Sequence, residues 1–192
     1  LSFGKATTLY KNYKSSAGTL PTLTELQSPA AIGNLSFGQG SLTATPLQIA
    51  QMMSSIVNEG NTTFARLVIG ITENGKSIDY YENETYPIKA MDKKVAQIIK
   101  NDLISAVMNT PKQNAKPTFT TAGGKTGTAQ TGIKEGEKEV LQGWFAGFFP
   151  ADKPKYVIVV LCEDAHSGNQ DASPVFKEIV DSMTNPNAAI FE

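Results

Sequence analysis

The sequence predicts an α+β fold in which helices pack on an antiparallel sheet. In the last third of the chain, the pattern of apolar residues changes to the two-residue period of strands. It does so in three segments, 118–130, 143–149 and 156–162. Two short links, 131–142 and 150–155, join these segments, and successive strands with short links favour an antiparallel meander. Apolar residues at helical spacing precede and follow them, so helices should cover the sheet.

The first helix is predicted to begin at a capping box. In Thr45-Pro46-Leu47-Gln48, Thr45 suits the N-cap, the proline suits the first helical position, and Gln48 can reach back to the cap. Two adjacent apolar stripes follow, so we expect a mostly buried helix that ends at Asn58-Glu59-Gly60. Residues 1–45 show no sustained period, and we expect loop with short turns there.

The remaining elements are assigned by period and by turn residues. Residues 64–72 predict a strand, the Glu73–Lys76 segment a hairpin turn, and residues 77–90 a return strand with a loop. Asp92 begins a second helix that stops at Asn109-Thr110-Pro111. Ser173-Pro174 opens the final helix. Its residues predicted to face inward are Val175, Phe176, Ile179, Val180 and Met183.

Composition excludes several classes of function. The 192 residues suffice for one domain, with 40% hydrophobic residues, 18% charged residues and a net charge of −1. The cations form no basic block, which argues against a nucleic-acid partner. A single cysteine and a single histidine argue against a disulfide framework and a zinc site. Because the start has neither an initiator Met nor a signal-peptide layout, we expect the chain to begin mid-protein.

The most informative motif is AGGKTGTA, residues 122–129, and three interpretations of it are open. Its Gly-Gly-Lys-Thr core could belong to a phosphate-binding loop. That loop needs a glycine where Phe119 stands and a helix where a strand follows. A glycine-rich strand packed close to another backbone would explain the glycines alone. The third interpretation is a Lys-Thr-Gly strand that lines a serine acyl-transfer site.

Each residue type of this strand suits the third interpretation. Lys125 places a fixed cation where a substrate carboxylate binds, and Thr126 and Thr128 offer hydroxyl donors beside it. Gly127 has no Cβ, so a substrate backbone can lie against the strand. The N–H of Thr128 can point at a developing oxyanion, and such a donor often contributes about 3–4 kcal/mol.

Four sequence blocks in one order support a resemblance that covers nearly the whole chain. They are GNLSFGQG (33–40), TATPLQIA (43–50), GGKTGTA (123–129) and GWFAGFFP (143–150). Their order and spacing resemble the penicillin-binding protein transpeptidase family, most of all its class B members, the monofunctional D,D-transpeptidases. Residues 3–7 are also similar to a family segment shortly after the second catalytic motif. The resemblance implies part of a penicillin-binding, β-lactamase-like transpeptidase fold.

The resemblance also implies a mechanism and partners. A serine attacks the D-Ala-D-Ala carbonyl of a peptidoglycan stem peptide, an adjacent lysine takes its proton, and the acyl group passes to an amine of a second stem peptide. Lys125, Thr126, Gly127 and Thr128 are the implied substrate-binding residues, and Lys125 and Thr128 the implied catalytic ones. A β-lactam mimics the donor peptide. No metal or cofactor is implied, and further cell-wall synthesis proteins are expected partners.

The family requires S-x-x-K and S-x-N motifs before the KTG motif, and we expect neither in this chain. The Ser2–Lys5 segment fits the first pattern, but it contains Gly4 and stands where the family places sequence after S-x-N. The S-G-N segment, 167–169, follows the KTG strand, so its order is wrong. We therefore expect residues 1–192 to be the C-terminal part of one transpeptidase domain. The nucleophile would lie upstream of Leu1, and the chain alone would be inactive.

Other functions of the family's fold stay open at this point. A β-lactamase, a D,D-carboxypeptidase or a β-lactam sensor would share the KTG strand. The GQG-to-helix segment and the GWFAGFFP block favour the transpeptidase by resemblance. A non-catalytic scaffold would bind no β-lactam even in the full protein. The resemblance places the protein at the outer face of a bacterial membrane.

Several residues outside the motif have mostly structural interpretations. Gln39 and Gly40 border the active-site cleft in the family, so a supporting role is possible by resemblance. His166 is interpreted as an exposed loop residue and Cys162 as a small core residue. KEGEKE, residues 134–139, is expected to form a solvated hairpin tip. The aromatic residues interpreted as sheet packing on both faces are Trp144, Phe145, Phe148 and Phe149.

The segment Tyr156–Cys162 has a property of its own. It is apolar, β-branched and uncharged, and in the family its outer edge pairs with strands that precede the nucleophile. An uncovered edge of this kind invites association. We expect it to pair with those missing strands or with another copy of itself. Slow hydrogen exchange of its edge amides would agree, and exchange as fast as in loops would contradict this hypothesis.

Overall fold

The computed structural model describes residue 6 and residues 8–75, 78–80 and 88–187. The Ser2–Lys5 segment lies outside the described residues, as does most of the family-like segment 3–7. In chain order the elements are β1 (Thr8–Tyr10), β2 (Tyr13–Lys14), a 3-10 turn (Glu25–Gln27), α1 (Pro29–Ser36), α2 (Pro46–Val57), β3 (Gly70–Ile71), β4 (Asp79–Tyr80), α3 (Lys93–Met108), β5 (Gly123–Glu135), β6 (Lys138–Phe149), β7 (Tyr156–Cys162), a π-helical turn (Gly168–Ala172) and α4 (Ser173–Thr184).

The three long strands form an antiparallel sheet in the order β5-β6-β7, which confirms the predicted meander and α+β class. β7 has the predicted bounds, β6 begins five residues earlier than expected, and β5 begins and ends five residues later than expected. The predicted link 131–142 is mostly strand, since pairing continues to Glu135↔Lys138 and the turn is tight at Gly136. Polar side chains can point into solvent while the backbone pairs, so polarity hid these strand ends. The tip is exposed, as predicted.

Alternate residues of β6 supply the two faces of the sheet. Phe145 and Phe149 pack into a cluster with Phe176 and Val180 of α4. The neighbouring residues Ala146 and Phe148 pack into a second cluster with Met53 and Ile56 of α2. Burying one such side chain stabilises the fold by about 1.5–3 kcal/mol. Phe145, Phe148 and Phe149 therefore pack on both faces of the sheet, as predicted, whereas Trp144 is half-buried and belongs to neither cluster.

Contact between the rings of Phe145 and Phe176 packs α4 against the sheet. Their centroids lie 4.6 Å apart at an interplanar angle of 45°, a favourable tilted arrangement. Both side chains are fully buried. The inward face predicted for α4 is partly wrong, because Val175, Ile179 and Met183 are 37–52% exposed. The helix contacts the sheet through one stripe at i, i+4 spacing, and the neighbouring stripe remains at the surface.

Helix α3 also exposes part of its apolar pattern. Ala96 and Val107 are buried, whereas Val95 is 46% and Ile98 61% exposed. Helix α3 does begin at Asp92 and end before Asn109, as predicted. The helical period therefore predicted its extent, but the packing partners decided which residues of the pattern became buried.

The first 45 residues contain a helix that the sequence analysis missed. Helix α1 has Ser28 as its N-cap and Pro29 as its first residue, which is a recognisable start signal. The interior Gly33 and Asn34 are poor helix formers, so the pattern is weak. None of its residues is buried. The predicted strand 64–72 also shortens to Gly70–Ile71, paired with Asp79–Tyr80 around a turn at Gly75.

Helix α2 confirms the predicted capping box. The Gln48 N–H donates to Thr45 Oγ1 at 3.2 Å, and the Thr45 N–H donates to Gln48 Oε1 at 2.9 Å. Only Pro46 of this helix is exposed, and Gly60 after it adopts a φ of 87°. Within the described part of the chain, no helix has the length and apolar character needed to cross a membrane.

We expect the substitution Thr45→Ala to lower the free energy of unfolding by about 1 kcal/mol, because it removes the acceptor of the capping box. Urea denaturation of the protein measures this change. Thr24→Ala is the matched control, since Thr24 also stands at an N-cap but makes no side-chain cap bond. Equal effects of the two substitutions would contradict the assigned role of Thr45.

Candidate active-site strand

The KTG residues lie in the first half of β5, at an edge of the described sheet. Strand β5 pairs with β6 on one side, and among the described residues no strand pairs with its other side. The partners of Lys125, Thr126, Gly127 and Thr128 on β6 are Ala146, Phe145, Trp144 and Gly143. The predicted site residues are therefore presented along an open strand edge.

The two side-chain faces of β5 follow from this register. Antiparallel partners share a face, and Ala146 belongs to the α2 cluster whereas Phe145 belongs to the α4 cluster. Lys125 and Gly127 therefore lie on the α2 face, and Thr126 and Thr128 on the α4 face. Lys125 and Thr128 are exposed, while Thr126 is half-buried.

The backbone groups of β5 also divide into two sets. A Cβ placed on Gly168 would lie 2.3 Å from the Gly127 carbonyl oxygen and 2.4 Å from that of Trp144. Both oxygens thus lie together at the ladder between β5 and β6. Amide direction alternates along a strand, so the N–H and C=O of Thr126 and Thr128 point to the open edge. Consistent with this direction, Lys125 Nζ donates to the Thr126 carbonyl at 2.9 Å.

The glycines of the motif are required by packing. A Cβ on Gly124 would lie 2.6 Å from the Phe145 ring and 2.7 Å from the Ala146 carbonyl oxygen. A Cβ on Gly123 would meet the Phe148 ring at 2.4 Å. Gly127 differs, because its Cβ would make only a close contact of 3.4 Å with Trp144 Cβ. The first two glycines therefore serve close packing, which was one of the open interpretations of this motif.

A loop between β7 and α4 supports β5 from the α4 face, and sequence analysis missed this contact. The Gly168 N–H donates to Thr128 Oγ1 at 3.2 Å. A Cβ on Gly143 of β6 would lie 2.9 Å from Ala165 and 3.0 Å from the Ser167 carbonyl oxygen. The sequence does show glycines at positions 143 and 168. No pattern in the sequence, however, indicates that residues so far apart are in contact.

The S-G-N segment lies inside this loop. Ser167 Oγ accepts from the Gln170 N–H at 3.2 Å and caps the π-helical turn. The Asn169 side chain contacts Asn114, whose amide group donates to the Asn169 carbonyl at 2.8 Å. The segment has structural contacts of its own, and its lack of a catalytic role stays a prediction.

Asp171 holds the start of the same loop. One of its carboxylate oxygens accepts from the N–H groups of His166 and Ser167 at 2.8 and 2.9 Å. The bond from Ser167 is the main reason that the pKa of Asp171 lies below its usual value. His166 has a side chain that is 77% exposed, 3.6 Å from Asp171, which fits the predicted loop residue. Cys162 is half-buried against the α4 cluster.

A second polar anchor holds the segment that leads into β5. Asp181 of α4 accepts from the Thr118 N–H at 2.6 Å and from the Thr118 hydroxyl at 2.8 Å. Lys177 donates to the same carboxylate and to the Thr118 hydroxyl. Burial acts to raise the pKa of Asp181, but these hydrogen bonds outweigh burial and lower it below the usual value. The predicted strand start at Thr118 is wrong, because this anchor replaces strand pairing there.

Gln39 and Gly40 lie in the turn between α1 and α2. The Gln39 N–H donates to the Asn34 carbonyl at 2.9 Å, and Gly40 adopts a φ of 87° beside the Asn34 side chain. Within the described part of the chain, both residues therefore contact α1. Their role beside a cleft stays a prediction.

We expect the Asp181 anchor to make stability depend on pH. A carboxyl whose folded-state pKa is lowered stabilises the fold above its unfolded pKa of about 4, and that stability is lost as the pH falls through the folded-state pKa. Asp181→Asn should thus lower the free energy of unfolding at pH 7, and the difference from wild type should shrink in acid.

Urea denaturation at neutral and acidic pH measures this effect. Glu178→Gln on the same helix is the control, because Glu178 is exposed and takes no part in the Thr118 network. A loss that is the same at both pH values for Asp181→Asn would show that the charge of Asp181 does not act as described.

Comparison with known proteins agrees with this strand arrangement. The family model described as "Penicillin binding protein transpeptidase domain" matches residues 1–181. The peptidoglycan D,D-transpeptidase MrdA of Haemophilus influenzae is 31% identical over 167 residues, which cover 79% of this chain and 25% of the relative.

Two solved structures show the same fold. A peptidoglycan synthetase from Bifidobacterium adolescentis superposes with a TM-score of 0.79 at 24% identity, over 95% of this chain and 33% of that one. Penicillin-binding protein 3 of Mycobacterium tuberculosis, complexed with aztreonam, has a TM-score of 0.69 at 27% identity, over 85% and 39%. The chain spans about a quarter of the length of the curated relatives it matches. The family model matches residues 1–181, and the sheet order with its open KTG strand agrees with that match. The chain therefore belongs to the penicillin-binding protein transpeptidase domain family.

Proposed function

We propose that this chain supplies the substrate-binding strand of a peptidoglycan D,D-transpeptidase that works through an acyl-serine intermediate. The observation that supports this most is the open edge of β5, which carries the Thr128 N–H and, three residues before it, the exposed Lys125 cation. An extended peptide can pair with such an edge through its backbone. Family membership and the name of the Haemophilus influenzae relative support the same reaction.

Each residue of the strand has a role in the proposal. The Lys125 side chain begins on the α2 face, but its ammonium group reaches the open edge at the Thr126 carbonyl, where it attracts the terminal carboxylate of the stem peptide. The hydroxyls of Thr126 and Thr128, on the α4 face, donate to the same carboxylate across that edge. The Thr128 N–H donates to the carbonyl oxygen as it gains negative charge in the tetrahedral intermediate. Gly127 presents no Cβ to the substrate backbone. Lys125 and Thr128 are thus the catalytic residues that this chain contributes.

The covalent step uses groups that we place outside this chain. A serine Oγ bonds to the D-Ala-D-Ala carbonyl carbon while a neighbouring lysine accepts its proton. The peptide C–N bond then breaks, D-alanine leaves with a proton, and an amine of a second stem peptide displaces the serine. The Ser2–Lys5 segment is a poor candidate because Gly4 interrupts it. In this proposal, residues 1–192 form the C-terminal part of one transpeptidase domain. By themselves they have no transpeptidase activity.

The same site accounts for binding of β-lactams and for the location of the protein. A β-lactam carries a carboxylate beside a reactive carbonyl, as the donor peptide does, and the Mycobacterium tuberculosis structure holds aztreonam. A D,D-transpeptidase acts on the cell wall, so we place the protein at the outer face of the bacterial membrane. The relative named as a transpeptidase favours this reaction over a β-lactamase, a carboxypeptidase, a sensor or a scaffold.

Strand β7 forms the other edge of the described sheet. Its residues Tyr156–Cys162 have the position that the sequence hypothesis requires, since they pair with β6 on one side only within the described part of the chain. We keep the proposal that missing strands of the same domain or a second copy of the chain cover this edge. Cell-wall synthesis proteins remain proposed partners.

We expect Lys125→Ala in the full-length protein to lower the rate of acylation by a penicillin roughly 10- to 100-fold, the effect of losing a charge-assisted hydrogen bond. Lys125→Arg should retain much of the rate. Lys134→Ala is the control, because Lys134 is an exposed lysine on the same strand at the hairpin tip. Labelling with a fluorescent penicillin measures the rates, and an unchanged rate for Lys125→Ala would contradict the proposed role.

We expect the 192-residue chain by itself to show no mass increase after incubation with a penicillin, because the proposed nucleophile lies elsewhere. Intact-mass spectrometry with and without penicillin tests this. An increase by one penicillin would mean that Ser2 or another serine of this chain is the nucleophile, and the domain assignment would be wrong.

A further inference from the structure

We propose that Gly168, in the segment between β7 and α4, is a positioning residue for the KTG strand. Its N–H orients the Thr128 hydroxyl toward the substrate carboxylate. This inference rests on the proposed function and adds a residue of the loop between β7 and α4 to the site. The juxtaposition of Gly168 with Thr128 and with the backbone of Gly127 supports it.

The first argument concerns the direction of a proton. A threonine hydroxyl donates one hydrogen bond and accepts up to two. The Gly168 N–H donates to Thr128 Oγ1 at 3.2 Å, so the hydroxyl is the acceptor in this contact. Its hydrogen must point away from Gly168. Thr128 is exposed, so the hydrogen remains available for a ligand at the open edge of β5.

The second argument concerns the position of the strand. The loop lies so close to β5 and β6 that a Cβ on Gly168 would approach the carbonyl oxygens of Gly127 and Trp144 to 2.3 and 2.4 Å. Those atoms belong to the backbone and cannot rotate away. Any side chain at position 168 must therefore move the loop or the strand. A shift near 1 Å in a positioning contact can cost on the order of 100-fold in rate.

The third argument is that the loop itself is fixed. Asp171 accepts from the N–H groups of His166 and Ser167 through one carboxylate oxygen, and Ser167 caps the turn that begins with Gly168. Asn169 is bonded to the segment before β5 through Asn114. Gly168 is thus held from both sides of the loop. The contact with Thr128 is a fixed support behind the strand.

Acylation by benzylpenicillin and by its methyl ester separates positioning from folding, because only the free acid has the carboxylate that Thr128 would bind. The full-length protein is used. We expect Gly168→Ala to lower acylation by the free acid at least roughly tenfold and by the ester much less. Gly33→Ala is the matched control, since a Cβ on Gly33 of α1 would meet no atom within 4 Å. Its two rates should equal those of wild type.

Asp171 provides a second pair of variants in case Gly168→Ala does not fold. Asp171→Ala removes the acceptor that holds the loop and should lower the ratio of free-acid to ester acylation. Asp171→Asn keeps one side-chain oxygen for the two N–H groups and should restore most of that ratio. Equal ratios for wild type, Asp171→Ala and Gly168→Ala would overturn the inference.

Hydrogen exchange distinguishes failure of this inference from failure of the proposed function. If wild type is not acylated at all, the proposed function is wrong. The positioning contact is then judged by exchange of the Lys125 and Gly127 amides, which face β6. We expect faster exchange there in Gly168→Ala and no change in Gly33→Ala. Exchange that is unaltered in Gly168→Ala would overturn the contact as a support of the strand.

Discussion

The antiparallel pairing of β5 with β6 is the constraint on which the rest of the structure depends. It sets Gly124 opposite Gly147, and a Cβ on either glycine would lie within 2.8 Å of the Phe145 ring. The Phe145 ring therefore occupies the space left by these two glycines and packs against Phe176 of α4. A shift of register by one residue would move every side chain of β5 to the other face. The direction of the Lys125 side chain is fixed by the same pairing.

Two hydrogen-bonded anchors hold the KTG strand in place, one in the loop packed against it and one in the segment that precedes it. Asp181 holds Thr118, five residues before Gly123, and Asp171 holds the loop whose glycine contacts Gly127. Both carboxylates have a lowered pKa, since the hydrogen bonds they accept favour the charged form. The open edge itself contains no such anchor among the described residues of β5. Rigidity behind the strand and accessibility in front of it suit a site that must bind a peptide backbone.

Local signals in the sequence were reliable where the cause of the structure was itself local. The capping box at Thr45, the helix starts at Asp92 and Ser173, and the bounds of β7 depend on neighbouring residues, and the structure confirms them. The missed helix α1 and the charged ends of β5 and β6 had weak local signals, since α1 buries no residue and the strand ends carry polar side chains.

The sequence by itself determined the fold class, the family blocks and the identity of the four KTG-strand residues, because each rests on residue types at short spacing. Only the tertiary structure decided which side chains of α3 and α4 are buried, since Ile98 and Ile179 fit the helical period but are not covered by any of the residues that the structure describes. It also decided the contact between Gly168 and Thr128, which are 40 residues apart. A hydrogen bond between residues this far apart depends on the path of the chain through β6 and β7, and no local pattern specifies that path.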